Sequence, residues 1–421
     1  MAETAVTMAM RISTIEEWVH ACFKDHLGCR FSSLEKSGTP ARFIDVGVGD
    51  TTVRLIDTNT LPSSHRPSYT ALSHCWGEGG VPFRATVANL AALKREIPSA
   101  SLTPTFRDAI AVTRLLEIWY LWIDALCIVQ DDKADWEREA AKMASVFRCA
   151  YVTLAAASPM AKGNGLELAN IPPSTQFRLR PNRKSGNPES QDLRILLRPP
   201  EAAGLARLDL FYDSPMHGRG WIFQEMVLSS RIVYFINGQL FWQCQSVFES
   251  EDRTMQVNDR RVEWSLNTSS YPNYLVSRTR SLDGPMANSD AIKRDFIWWT
   301  WVLEHSSRKL TNPNDDLPSL AGAVDFYRRL SGDEPVVGLW LKEIAFHLSW
   351  QVITTDKVPS REPGQPSWSW TSIPHAHRGH NLGIRHLPLA NPPRPWHVVD
   401  PSNNGAPDDL VEELGTGMVV M

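Results

Sequence analysis

The segment from Tyr120 to Ser158 restricts the fold more than any other part of the chain. A short apolar run, Tyr120 to Ile123, stops at Asp124, and a polar elbow with Gln130, Asp131 and Asp132 follows. Between Ala134 and Phe147 the residues Trp136, Ala140, Met143 and Phe147 recur three or four apart, which predicts a helix. A second β-type run, Tyr151 to Ala155, closes the segment. Strand, helix, strand at this length is one βαβ unit, and such units build parallel sheets. Those sheets keep their ligand groups at the carboxyl ends of the strands, which is where Asp124 stands.

The flanking sequence extends the pattern. Tyr69 to Ser73 predicts a strand, with Trp76-Gly77 and Gly79-Gly80 in a loop at its carboxyl end. A glycine loop there can admit a phosphate, yet GEGG has neither a P-loop lysine nor the GxGxxG spacing. Val87 to Ile97 predicts a short amphipathic helix, and Thr103-Pro104 an N-cap and first position of a helix reaching about Ile118. The alternation is that of an open α/β sheet. Upstream, residues 11–28 predict a helix, and ARFIDV (41–46) with TTVRLID (51–57) a β-hairpin. Downstream, residues 159–216 read as an irregular insertion holding one strand, LRILLR (193–198), and residues 219–230 as a short helix. Asn237-Gly238 between RIVYFI and QLFWQCQSVFES is a strong hairpin signal. Residues 251–290 read as loop, followed by helices at 291–306, 317–331 and 337–348 and a loop-rich tail. The tryptophans near 298–301, with Trp368 and Trp370, are expected to pack against that hairpin.

Composition excludes several function classes. A net charge of −4 over 421 residues gives no electrostatic footprint for nucleic acid or an anionic membrane. The longest apolar stretch, around Ile118 to Val129, is too short for a bilayer and is broken by Asp124. The N-terminus lacks the apolar core of a signal peptide, so a cytoplasmic location is expected. The six cysteines form no CxxC pair and read as reduced, mostly buried thiols. Cys22, His26 and Cys29 fall on one helical face with ligand-type chemistry, but no fourth ligand sits nearby at a usual spacing. They are expected to be core, with no metal. The cluster His375, His377, His380 and His386 is likewise expected to bind nothing specific.

Three blocks in order, YTALSHCWG, LWIDALCIVQDDKADWEREAAKMASVFRCAYVTLAA and RGWIFQEMVLSSRIVYF, resemble the fungal heterokaryon incompatibility (HET) domain. LTNPNDDLPSLAGAVDFYRRL, VVGLWLKE and PSWSW resemble the extension that follows it, so the likeness covers about residues 40–373. One departure is His74-Cys75 ahead of Trp76-Gly77. The resemblance implies a protein of fungal non-self recognition and programmed cell death, acting by self-association or by binding a protein partner. It also implies a TIR-like, flavodoxin-like open parallel sheet with an α+β C-terminal extension. The domains expected are a lead-in at 1–65, a HET domain at 66–230, an extension at 231–373 and a partly disordered tail at 374–421. Some TIR domains cleave NAD with one Glu in a pattern resembling W-C-x-x-E, and Trp221 to Glu225 has that spacing with Ile222 in place of Cys. A NAD hydrolase is therefore the alternative function, with NAD as its substrate and no cofactor required.

Each candidate residue has a structural alternative. Glu225 either stabilises the charge that develops on ribose when nicotinamide leaves or pairs with Arg219 or Arg231 to fix its helix. Asp124 either contacts a ligand or caps the turn after it. Ser73 and Gly77 are candidate substrate contacts, and Trp76 and Trp221 either stack a ring or serve packing. Asp131 and Asp132 read as caps, and Cys127 as core.

Overall fold

The computed structural model describes residues 2–26, 29, 39–47, 52–62, 67–77, 80–158, 165–166, 175–179, 193–197, 214–244, 246–252, 256–258, 289–310, 312, 315–342, 344–354, 365–373 and 382–386. Its centre is a nine-stranded mixed sheet. The parallel part holds β3 (Tyr69–Ser73), β4 (Tyr120–Trp122), β5 (Val152–Ala156) and β8 (Arg231–Ile236). These lie in the order β4-β3-β5-β8, with β3 paired in parallel to β4 and β5, and β5 to β8. On one side β1 (Arg42–Asp45) joins β4 antiparallel and pairs with β2 (Arg54–Asp57), the expected hairpin. On the other side β9 (Gln239–Cys244), β10 (Val247–Ser250) and β11 (Gln256–Asn258) continue from β8 antiparallel. A strand therefore stands where residues 251–290 read as loop.

The first strand of the parallel set, β3, sends the chain out to β4, and the chain then returns past it to β5. The order reverses between β3 and β5. Open sheets hold their crevice at such a switch point, beyond the carboxyl ends of the strands. Helix α1 (Ala2–Asp25) runs before the sheet, and α2 (Leu90–Leu93) with α3 (Pro104–Leu115) joins β3 to β4. Thr103 caps α3, its Oγ1 accepting from Phe106 N at 3.3 Å. Helix α2 is shorter than its apolar spacing predicts because side chains claim the preceding backbone. Asn89 Oδ1 accepts from Thr86 N and Asp131 Oδ1 from Val87 N, each at 2.8 Å.

After β4 come α4 (Asp124–Cys127), α5 (Lys133–Ala140) and α6 (Met143–Cys149). The single helix predicted over 134–147 is thus two, with an i→i+3 bond from Lys142 N to Glu139 O, 3.0 Å, tightening the turn between them. Asp132 caps α5, accepting from Ala134 and Asp135 N. Asp135 is buried, accepts from Arg42 and from Val129 N (2.8 Å), and so ties β1 to the elbow after α4. Burial works to raise its carboxyl, but the bonds from Arg42 and Val129 outweigh that and leave it below its ordinary range.

In the insertion, β6 (Thr175–Leu179) pairs with β7 (Leu193–Leu197) as a separate two-stranded unit. Helix α7 (Gly220–Leu228) then leads into β8. At the β8–β9 turn Asn237 and Gly238 have φ of 48° and 76°, the left-handed pair that a two-residue hairpin needs.

The C-terminal elements are α8 (Ser289–Ser306), α9 (Asp316–Ser331), β12 (Pro335–Val336), β13 (Leu339–Trp340), α10 (Ile344–His347), β14 (Trp350–Thr354) and β15 (Leu382–His386). The predicted helix over 337–348 is only α10. Val337 (φ 46°) and Gly338 (φ 83°) fold the residues before it into a tight β12–β13 turn. Gly338 O there accepts from Trp298 Nε1 (3.2 Å) and Trp370 Nε1 (2.9 Å). The tryptophan cluster packs elsewhere than expected. Trp298, Trp299, Trp301, Trp340 and Trp370 gather with Tyr327 around Phe223 of α7. The hairpin face packs instead against Met216, Ile222 and Phe248. Helix α7 presents apolar side chains to both clusters, so each covers a different face of it. Residues 375–380 lie outside the described residues, and His386 ends β15. Among the described residues no helix is long and apolar enough to cross a membrane.

Candidate functional site

Three chain segments meet beyond the carboxyl end of β3. Ser73 is the last residue of that strand, Asp124 opens α4 just past β4, and Glu225 sits on α7, the helix that returns the chain to β8. Ser73 Oγ donates to Glu225 Oε2 at 2.6 Å across 152 positions of sequence. Trp76 Nε1 donates to Asp124 Oδ2 at 2.8 Å, and His74 Nδ1 lies 3.7 Å from Asp124 Oδ1. Arg219, at the N-cap of α7, donates from Nη1 to His74 O at 3.2 Å. Gly77 follows with φ of 77°, a left-handed turn that a Cβ would strain.

The electrostatics single out Glu225. The residue is buried, 6 % exposed. Burial, with the charge of Asp124 adding to it, raises its pKa from 4.5 to about 8, against the opposing pull of Ser73, Arg219 and Arg308. Among the described residues no ion pair to Glu225 is formed. Neither arginine considered as its partner pairs with it directly: Arg231 donates to Cys29 O (2.9 Å) and Tyr151 O (3.4 Å), and Arg219 donates to His74 O while its charge still opposes the rise of the Glu225 pKa. His74 is pushed down by burial, opposed by Asp124, and stays a neutral imidazole at physiological pH. Its Nε2 is buried without a hydrogen-bond partner among the described residues. The Cys75 thiol is raised to about 11 and Cys127 to about 12, both by burial, so neither is an activated nucleophile. Perturbed titratable groups gathered at strand ends mark this place as a candidate functional site.

Of the two roles considered for Asp124, the geometry holds the local one, its Oδ1 accepting from Ala125 N at 2.7 Å. Trp221 takes a different direction. It donates from Nε1 to Asp315 Oδ2 at 2.9 Å and meets Trp136 edge-on at 5.9 Å. Its two partners, with Gln130, Asp131, Lys133, Asn312 and Pro318, line a cleft of about 620 Å³. That volume lies in the range of small-molecule clefts, and Trp221 lies one helical turn before Glu225 on α7. Arg308 and Asp315 lie after α8, and no local pattern pointed either of them at this site. Glu139 is buried and accepts from Ala41 N at 2.8 Å, whereas Glu137 is exposed. Glu137 makes only an exposed ion pair with Lys133, 3.7 Å, on that helix.

Residues 69–225 match the family model described as heterokaryon incompatibility protein (HET). The chain carries a HET domain. The match begins on the first residue of β3 and ends on Glu225, so the HET domain contains Ser73, His74, Asp124, Arg219 and Glu225. Neither the curated proteins nor the solved structures yield a match to the chain. Strands β1, β2 and β8 to β11 lie outside the matched residues but belong to the same sheet as the HET strands.

Proposed function

We propose that the protein acts in non-self recognition and cell-death signalling, and that its HET domain does so by hydrolysing NAD at Glu225. The observation that carries this reading is the 2.6 Å bond between Ser73 and Glu225 at the strand-order switch point. It supports a TIR-like, flavodoxin-like arrangement, in which β4-β3-β5-β8 corresponds to strand order 2-1-3-4. At rest Glu225 is protonated at neutral pH. A nicotinamide ring brings a positive charge, and an opposite charge within a few ångströms restores the carboxylate. As the bond from ribose C1′ to the ring nitrogen breaks, its electron pair leaves with neutral nicotinamide. The carboxylate then stabilises the oxocarbenium character at C1′ until water adds. Ser73 orients the carboxyl, and the Trp136–Trp221–Asp315 side offers the room and the ring faces for the rest of the dinucleotide.

The test is expression in a fungal host with growth and cellular NAD followed together. The wild-type chain should deplete NAD and arrest growth, and Glu225→Gln should do neither. Arrest by both chains at undiminished NAD would instead support the second reading, a signalling module that binds a partner or itself. That reading rests on Trp119, which is 54 % exposed at the amino end of β4 while most described tryptophans are buried.

A further inference from the structure

The C-terminal end of α1 and the turn after it bring Cys22, His26 and Cys29 together. The shaping bonds are His26 N to Cys22 O (3.2 Å) and Cys29 N to His26 O (3.1 Å). From 215 residues beyond Cys29, Cys244 at the end of β9 arrives opposite them, its Sγ 3.3 Å from His26 Nδ1. One ligand-type atom from each of the four lies within 4.8 Å of every other. All three cysteines are buried and none is in a disulfide. Around a zinc ion, Zn–S bonds of about 2.3 Å place tetrahedral sulfurs about 3.8 Å apart, so the cluster needs only a small contraction to close on a metal.

We infer that Cys22, His26, Cys29 and Cys244 form a structural zinc site that fastens the N-terminal helix to the end of β9 in the central sheet. Three thiolates and one imidazole are the donor set of closed, tetrahedral zinc centres, and soft sulfur excludes magnesium and calcium. All four positions are protein ligands, so the site holds structure and performs no chemistry. The supporting contacts are those of ligands held in place. Ser246 N donates to Cys244 Sγ at 3.5 Å, and Arg231 Nη2 to Cys29 O at 2.9 Å while its guanidinium covers the Phe23 ring. The same helix is seated along its length by Trp18 stacked on Trp242 at 6.0 Å and by Arg11 paired with Glu251 at 3.2 Å. The metal therefore closes an interface that packing has already aligned. Three small thiols in a core would serve as apolar filler, but filler gives no reason for an imidazole nitrogen to point among them.

The experiment is elemental analysis of the full-length chain, purified under reductant without added metal, with zinc expressed per chain. One zinc per chain is expected, unchanged in Cys149→Ser and lost in the double variant Cys22→Ser/Cys244→Ser. Should that variant fail to fold, Cys244→His supplies a second check, because it keeps four ligands and should keep the zinc. Replacing zinc with cobalt(II) in the wild-type chain should give the intense visible bands of a tetrahedral thiolate site. Zinc-free wild-type protein that takes up neither Zn²⁺ nor Co²⁺ under reductant would overturn the inference. So would full zinc content in the double variant, or a disulfide among the three cysteines in the native chain.

Discussion

Replacing Glu225 by glutamine should make the protein more stable above neutral pH, and the structure says by how much. The carboxyl is buried, with its pKa raised from 4.5 to about 8, so between these values the folded chain holds a proton that the unfolded chain has lost. The sign follows directly. The stabilisation is fully present below pH 4.5 and is lost as pH rises to about 8, because each pH unit in the window removes about 1.4 kcal/mol. Between pH 5 and pH 8 the wild-type chain should thus lose about 3–4 kcal/mol from this group alone. A glutamine keeps the size and still accepts from Ser73, and it has no proton to lose. Urea unfolding of both chains at the two pH values isolates the effect, since titrating groups that do not face Glu225 cancel in the comparison. Parallel stability curves, or a variant weaker than wild type at pH 8, would refute the assignment of Glu225 as a buried, unneutralised acid. A carboxyl kept at that cost where an amide would fit is what a site retained for chemistry looks like.

Two further substitutions test the frame around the site. Asp135→Ala strands the buried Arg42 guanidinium, so it should cost about 3–5 kcal/mol in urea unfolding. Gly338→Ala puts a Cβ 2.7 Å from Trp370 Nε1 at φ of 83°, and a loss of about 1–3 kcal/mol is expected, with the tryptophan fluorescence of the C-terminal cluster changed.

The parallel core was legible because its signals are local. Apolar runs ending at Ser73, Ile123 and Ala155 each predicted a strand that forms, and Thr103-Pro104 and Asn237-Gly238 set a helix start and a turn by backbone chemistry alone. The approach of Glu225 to Ser73 followed from topology once the strand order was granted. What stayed hidden depended on long-range contacts. Helix α2 was shortened by a bond from Asp131, 44 residues away, and the segment over 337–348 had helical spacing that the Val337-Gly338 turn overrode. Cys244 completes a ligand set whose other members lie more than 200 residues earlier, so spacing around Cys22 could not reveal it. Trp221 read as either stacking a ring or packing, and its hydrogen-bond partner Asp315 lies 94 positions on, beyond any local pattern.

The central claim is that Glu225 breaks a nicotinamide–ribose bond, and the direct measurement is nicotinamide released from NAD by the purified full-length chain. Wild type and Glu137→Gln should release it at equal rates, and Glu225→Gln should release none while unfolding at the same or higher urea concentration. No release by wild type, or equal release by Glu225→Gln, would contradict the account.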